Sequence, residues 1–346
     1  MYNEELFTKF CKERNIREST RKGYQSAIQH YLQVQKQSLE YLIEEALHEE
    51  EEKIALKDRK LKKRLIKFRN FLFDSKMSPN TLKTYLQKIK TVYTHFEVTI
   101  PNLPSAKYDD SDYEINYFDL PGKIHIRQAL EIASIDLMAV ILFMSSSGTA
   151  KAETLSLTVE QFIQGTQDYH NGGSLEYILD TLTNKKNVVP SFYLKRIKTS
   201  KYYYTFCSPE ASTYIVKYLK TRKNLKLSDK LFDFTPSKLL LRFQEINDKM
   251  GWGFKGKYRF FRSHTLRKFH ASNIGLTAEY IDSLQGRSKN VIHETYIKTN
   301  PKKLKDIYMS VMDNVMINTS NQPDTVNQEF TIVVNVFLSG KEYNII

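Results

Sequence analysis

The segment from Pro101 to Asn116 divides this chain. It holds two prolines and the polar run Tyr108-Asp109-Asp110-Ser111-Asp112, a composition that interrupts both helices and strands. A linker over residues 101–118 therefore separates two regions that are patterned differently. Before it, apolar residues recur at helical spacing. Tyr24, Ile28, Tyr31 and Leu32 follow a cap at Glu18-Ser19-Thr20, and Leu82, Tyr85, Leu86, Ile89, Val92, Tyr93 and Phe96 follow Ser78-Pro79, a capping serine with proline at the first helical position. A charged helix is expected to begin at Glu49–Glu52 and turn basic through Arg59, Lys60, Lys62, Lys63, Arg64, Lys67 and Arg69. Leu61, Leu65, Phe68 and Leu72 give it a buried stripe.

After the linker the pattern is mixed. Lys123–Phe143 reads as helix. Phe192–Ile197 and Tyr202–Cys207 read as two strands of a hairpin joined by Lys198-Thr199-Ser200-Lys201. Ser208-Pro209 and Thr235-Pro236 start further helices, and Gly251 stops the second. His264–Ile274, Ala278–Leu284, Asn290–Lys298 and a segment from Pro301 to about Met316 read as helices, and Thr331–Leu338 has strand propensity. The expected fold class is α+β, mostly α. A helical domain over 1–100 precedes a mixed helical domain over 119–316 with a small antiparallel sheet, and a tail over 317–346 carries a β-strand.

Composition narrows the partners. The chain of 346 residues has 52 Lys+Arg against 39 Asp+Glu, a net charge of +13, which favours a polyanion, DNA or RNA above all. Two cysteines, Cys11 and Cys207, cannot build a disulfide framework, so a reducing, cytoplasmic setting is expected. The N-terminus is polar and acidic, unlike a signal peptide. The most apolar stretch, Ile135–Met144, is too short to span a bilayer, so no membrane partner is expected.

The chemistry concentrates late in the chain. Arg262-Ser263-His264-Thr265-Leu266-Arg267 contains a His-x-x-Arg pair; Gly286-Arg287 follows, and then Tyr296. Exchange of a DNA phosphodiester needs a nucleophile, an acid for the leaving oxygen and cations around the phosphorane. A tyrosine can hold the phosphate covalently, histidine can relay a proton near neutral pH, and arginine binds two phosphate oxygens through its planar fork. Taken singly, each residue has a plainer reading. Tyr296 is one of 22 tyrosines, His264 could cap a helix, and Arg267 could be a surface ion-pair residue. Lys195, Arg196, Lys198 and Lys201 could form a solvated basic hairpin, Arg287 carries a similar alternative, and His270 and His293 read as face or loop histidines. No zinc or magnesium pattern is present, and no cofactor is expected.

In this order and spacing the residues resemble the tyrosine recombinases, the lambda-type integrase family, over roughly 120–310, and Gln285-Gly286-Arg287 is similar to integrases of archaeal mobile elements. The resemblance implies that Tyr296 is the nucleophile, His264 assists proton transfer, Arg267 clamps the scissile phosphate, Arg287 donates to it and Lys198 is the general acid. It also implies a site-specific recombinase working through a 3′-phosphotyrosine without metal or ATP. The enzyme would be a monomer free in solution and a homotetramer on double-stranded DNA, with room for accessory DNA-bending proteins.

Residues 1–100 match a core-binding domain in kind only, and no separate arm-binding domain is expected ahead of it. Arg59, Lys62, Lys63, Lys67, Lys83, Lys88 and Lys90 are its candidate DNA-backbone contacts. The chain departs from the family at the first arginine. Ser147-Gly148-Thr149-Ala150-Lys151-Ala152-Glu153 keeps the glycine and glutamate but has Ala150 where the arginine falls. Either Lys151 supplies the charge, or Ala150 is an introduced knockout, or the protein is a natural relative with weak or no chemistry. Glu153 is expected to brace this loop. The tail strand is expected to add to an edge of its own domain or to a neighbouring protomer. The rivals are a silent DNA-binding relative, a metal-dependent nuclease and a type IB topoisomerase.

Overall fold

The computed structural model describes residues 4–105, 116–287, 300–317, 334–338 and 341–345. The chain forms two compact units, Met1–Glu114 and Ile115–Ile346. Among the described residues the fold is mostly helical, with small antiparallel hairpins, and no helix is long and apolar enough to cross a membrane.

The first unit contains helices α1 (Glu4–Glu13), α2 (Glu18–Gln35), α3 (Leu39–Glu51), α4 (Lys60–Asp74) and α5 (Pro79–His95). Helices α2, α4 and α5 pack on one another around Ile28, Tyr31, Leu65, Phe68, Val92 and Tyr93. The two buried tyrosines satisfy each other, hydroxyl to hydroxyl at 2.9 Å. Ser78 caps α5 as expected, its Oγ accepting from the Thr81 N–H. The expected cap on α2 is different: the helix begins at Glu18 behind Arg17, with no side-chain cap bond, and an acidic first turn complements the helix end.

The basic run also differs from expectation. It does not continue the helix that contains Glu49; the chain breaks after Glu51 and restarts at Lys60. This folds the acids of α3 back onto the basic residues. Buried Glu49 accepts from the first N–H of α4, that of Lys60, at 3.0 and 3.2 Å. Glu50 pairs with Arg59, and Glu45 with Lys60 at 3.1 Å and Arg64 at 2.6 Å. Spacing along one helix could not reveal these pairs, because the partners lie on two.

In the second unit, a 3-10 turn at Tyr117–Asp119 leads into α6 (Lys123–Ile132), α7 (Ile135–Ser147), α8 (Lys151–Ser156), α9 (Val159–Gly165) and α10 (Leu175–Asn184). The single helix expected over Lys123–Phe143 is two, because Ala133 and Ser134 are extended. Helix α7 is apolar on all sides and therefore central. It is wrapped by α11 (Pro209–Lys220) and α13 (Ser263–Asn273).

The expected hairpin is present as β1 (Ser191–Lys195) and β2 (Tyr202–Phe206), antiparallel, with Lys195 opposite Tyr202. Ser208 caps α11 and Thr235 caps α12 (Pro236–Lys249), as their Ser-Pro and Thr-Pro signals predict. A short hairpin, β3 (Phe254–Lys255) and β4 (Tyr258–Arg259), precedes α13 and has no counterpart in the sequence reading. Helix α14 (Ala278–Leu284) follows, then α15 (Pro301–Val311). The tail strand, β5 (Val334–Leu338), pairs with the next segment, β6 (Lys341–Ile345), so its nearest edge partner is local.

Candidate active site

The site is built on the C-terminal end of α7. The last carbonyls of a helix lack partners within it, and here other elements supply them. The Thr205 hydroxyl on β2 donates to Ser147 O at 3.0 Å, and the buried Tyr308 hydroxyl on α15 donates to Ser146 O at 3.0 Å. Thr149 links to Ser147 and Thr154 through hydroxyls at 3.0 and 2.8 Å. The Ser147–Ala150 loop is thereby fixed. Gly148 is held at φ +64°, and a Cβ there would come 2.5 Å from His270 Nδ1, so only glycine fits.

Arg267 joins this loop to the end of α14. Its Nη1 donates to Gly148 O at 2.7 Å and its Nη2 to Gln285 O at 2.9 Å. Gln285 returns the contact: its Nε2 lies 3.2 Å from Arg267 O and 2.9 Å from His270 Nδ1. Burial, followed by the charges of Arg196 and Arg287, lowers the Arg267 guanidinium to about 10. It stays charged at neutral pH but sits in a field that favours an anion. Gly286, at φ +60°, lets the chain pass the Tyr203 ring, which would lie 2.5 Å from an added Cβ. Arg287 follows, exposed, with Asp282 at 3.6 Å.

His264 sits in the first turn of α13, one turn before Arg267, and reaches solvent. The protein packed around its ring, then the cations Arg262, Lys268, Arg267 and Arg287, push its pKa below the usual histidine value. It is a neutral imidazole amid cations. Arg262, at the head of the same helix, lies over the Tyr258 ring at 4.3 Å, and burial lowers its pKa as well.

Lys198 lies exposed in the turn of the β1–β2 hairpin. The root of that turn is tied to α8. Buried Glu153 accepts from Arg196 Nη1 at 2.9 Å and from the Ile197 N–H at 3.1 Å, the two residues just before Lys198. Glu153, expected to brace its own loop, bonds the hairpin. Ala150 caps α8, and Lys151 is its first residue, half-buried.

No family model matches the chain, and no curated protein does. Solved structures do match in fold. A lambda integrase dimer bound to a COC′ core site aligns with a TM-score of 0.52 at 11% identity, covering 86% of this chain and 98% of that one. The Tn1549 transposon integrase in complex with transposon right end DNA aligns at 0.51 and 11% identity, covering 88% and 98%. A lambda integrase tetramer bound to a Holliday junction aligns at 0.51 and 12% identity, covering 83% and 76%. The chain has the fold of the tyrosine recombinases.

On this tyrosine-recombinase fold, Arg267 binds the loop at Gly148, its charge and that of Arg287 act on His264, and the two residues before Lys198 are tied to α8 through Glu153. Tyr296 and His293 lie outside the described residues. One alternative is set aside and one sequence reading is corrected. Arg196 is not part of a solvated hairpin, since its side chain is 15% exposed and paired with Glu153. His270 is not a face histidine but fully buried, and burial, with Arg267 and Arg287 nearby, lowers its pKa to about 3.

This burial predicts a pH effect. In the unfolded chain His270 titrates near about 6.5, so below that pH the unfolded state binds a proton that the native state refuses. Stability is complete above the unfolded value and falls as pH drops toward the folded one. The expected loss between roughly pH 7 and pH 5 is about 2 kcal/mol from this residue. Urea unfolding at the two pH values measures it. A His270→Gln protein with the same pH slope would contradict it.

The candidate DNA contacts of the first unit divide into groups. Lys63 and Lys67 stand exposed on α4 and Lys83 on α5, with Lys62 and Lys90 half-buried. Arg59 instead binds Glu50 and donates from Nε to Ile54 O at 3.0 Å. Lys88 folds back over the Tyr24 and Tyr85 rings at 5.5 and 5.9 Å.

Sequence reasoning gave Gln285 no contact of its own, passed over Tyr203 and set Arg196 aside. A buried glutamine and a tyrosine carry no local signal.

Proposed function

We propose that this protein is a site-specific DNA recombinase that cuts and rejoins DNA through a 3′-phosphotyrosine at Tyr296, without metal or ATP. The observation that carries this reading is the cation cluster of Arg196, Arg267 and Arg287 beside a neutral, solvent-reaching His264. Such a set suits a doubly liganded phosphate and a proton relay. The matched integrases, captured on a core site, a transposon end and a Holliday junction, support DNA as the partner.

In the proposed reaction the Tyr296 phenolate oxygen forms a bond to the scissile phosphorus. The bond from phosphorus to the 5′-oxygen breaks, and Lys198 gives that oxygen a proton. Arg267 and Arg287 hold the non-bridging oxygens, and His264 takes or returns a proton as the tyrosine enters and leaves. The reverse step, with a different 5′-hydroxyl as attacker, rejoins strands using the bond energy held in the phosphotyrosine. Four protomers acting on two duplexes would exchange strands through a Holliday junction. A second reading, a silent DNA-binding relative, is favoured by Ala150 alone.

The test is incubation with a nicked duplex carrying the native attachment site, in EDTA, followed by a denaturing gel. A protein–DNA band is expected. Binding without a band would favour the silent relative, and cleavage that EDTA abolishes would favour a metal-dependent nuclease. Supercoil relaxation by a monomer without site preference would favour a type IB topoisomerase. Binding is also expected to be strongly salt-dependent. Six to ten phosphate contacts predict a loss of about 10³–10⁵ in affinity between roughly 50 and 200 mM salt. A flat response in a titration across that range would contradict an electrostatic grip.

A further inference from the structure

We propose that Arg196, arriving from the end of β1, supplies the phosphate-binding guanidinium that position 150 lacks. The inference rests on the recombinase reading above and concerns which residue completes its clamp. Ala150 offers a methyl group, and Lys151 beside it offers a point charge without a fork. One turn further along α8, Glu153 is 2% exposed, and a carboxylate buried to that degree requires a cation. The cation it receives comes from another element, the hairpin.

Arg196 is held in place by its backbone as well as by its side chain. Its N–H donates to Lys201 O at 2.6 Å and its carbonyl accepts from Ser200 N at 2.7 Å, closing the base of the turn. Nη1 then reaches Glu153 at 2.9 Å. Of the charges around Arg267, that of Arg196 depresses it most, ahead of Arg287. Two guanidiniums are therefore tied to the segment that carries Ala150, Arg267 through Gly148 O before it and Arg196 through Glu153 after it.

Among the described residues the Tyr203 hydroxyl is buried with no hydrogen-bond partner, and the charges of Arg267 and Arg196 both act on it, so a donor stands ready for an anion there. A phosphate would present one non-bridging oxygen to Arg196 and the other to Arg267. The effect of moving the first arginine to the hairpin is that the same turn would carry both the clamp and the general acid Lys198.

The test uses the full chain and a nicked duplex made with either a phosphate or a methylphosphonate at the scissile position. The methylphosphonate removes one non-bridging charge and, with it, the need for one cation. Arg196→Gln is expected to slow covalent cleavage of the phosphate substrate by about 10²–10³-fold, and to slow the methylphosphonate substrate by less than about 10-fold on the same reasoning. Arg196→Lys keeps the pair with Glu153 and so guards against misfolding. It should show a smaller defect on phosphate, again relieved on methylphosphonate.

An equal loss on both substrates with DNA binding retained would make Arg196 a structural brace and overturn the proposal. So would undiminished cleavage by Arg196→Gln, or the charge-dependent pattern appearing in Lys151→Ala instead. If the unmodified chain forms no adduct on either substrate, the recombinase reading itself fails, and this inference with it.

Discussion

Arg267→Ala is expected to lose covalent DNA cleavage by at least about 10³-fold and to destabilise the catalytic unit by roughly 2–4 kcal/mol. Both effects come from one side chain. The guanidinium bridges Gly148 O and Gln285 O, at 2.7 and 2.9 Å, and so holds together the two segments that carry Ala150 and Arg287. Its removal leaves two buried carbonyls unpaired and takes the central cation out of the proposed clamp. Relief of repulsion from Arg196 and Arg287 offsets part of the cost, which keeps the expected loss at the lower end for a buried charged group. Arg267→Lys keeps the charge but cannot bridge both carbonyls in the same fork geometry, so it should recover part of the stability and little of the cleavage. Urea unfolding and a denaturing gel on the same preparations separate the two effects. A stable Arg267→Ala protein that cleaves normally would remove Arg267 from the site.

Tyr296→Phe is expected to have the largest effect on chemistry and the smallest on everything else. The change removes one hydroxyl and keeps the ring. The adduct should vanish, while DNA affinity stays within about two-fold, because phosphate contacts by Lys and Arg dominate binding. Affinity measured by mobility shift alongside the adduct gel is the check. An adduct that survives the change would mean that another residue is the nucleophile.

Much of this architecture was legible from local signals. Ser78-Pro79, Ser208-Pro209 and Thr235-Pro236 each announce a helix start, because capping and a missing proline N–H depend only on neighbouring residues. The hairpin of β1 and β2 follows from two runs rich in aromatic and β-branched residues. His264 and Arg267 lie one helical turn apart, so their proximity is written in their spacing.

What escaped the sequence is what depends on pairing across elements. The acids at Glu49–Glu52 read as the start of a basic helix, but Glu49 and Glu50 belong to α3 and fold back on it. Arg196 looked like one more solvated cation on a basic turn until Glu153, 43 residues earlier, was found to bind it. His270 shares a helix with exposed His264, yet its own face turns inward against Gly148 and Gln285. Periodicity identifies the buried side of a helix but does not name what meets it there.

The most direct test of the central claim is to identify the atom of the protein that carries the DNA. The unmodified chain is trapped on a nicked attachment-site duplex in EDTA and digested with nuclease and protease, and the nucleotide-bearing peptide is sequenced by mass spectrometry. The account predicts a 3′-phosphonucleotide on Tyr296. A nucleotide on any other residue, or no adduct in EDTA despite full DNA binding, would contradict it.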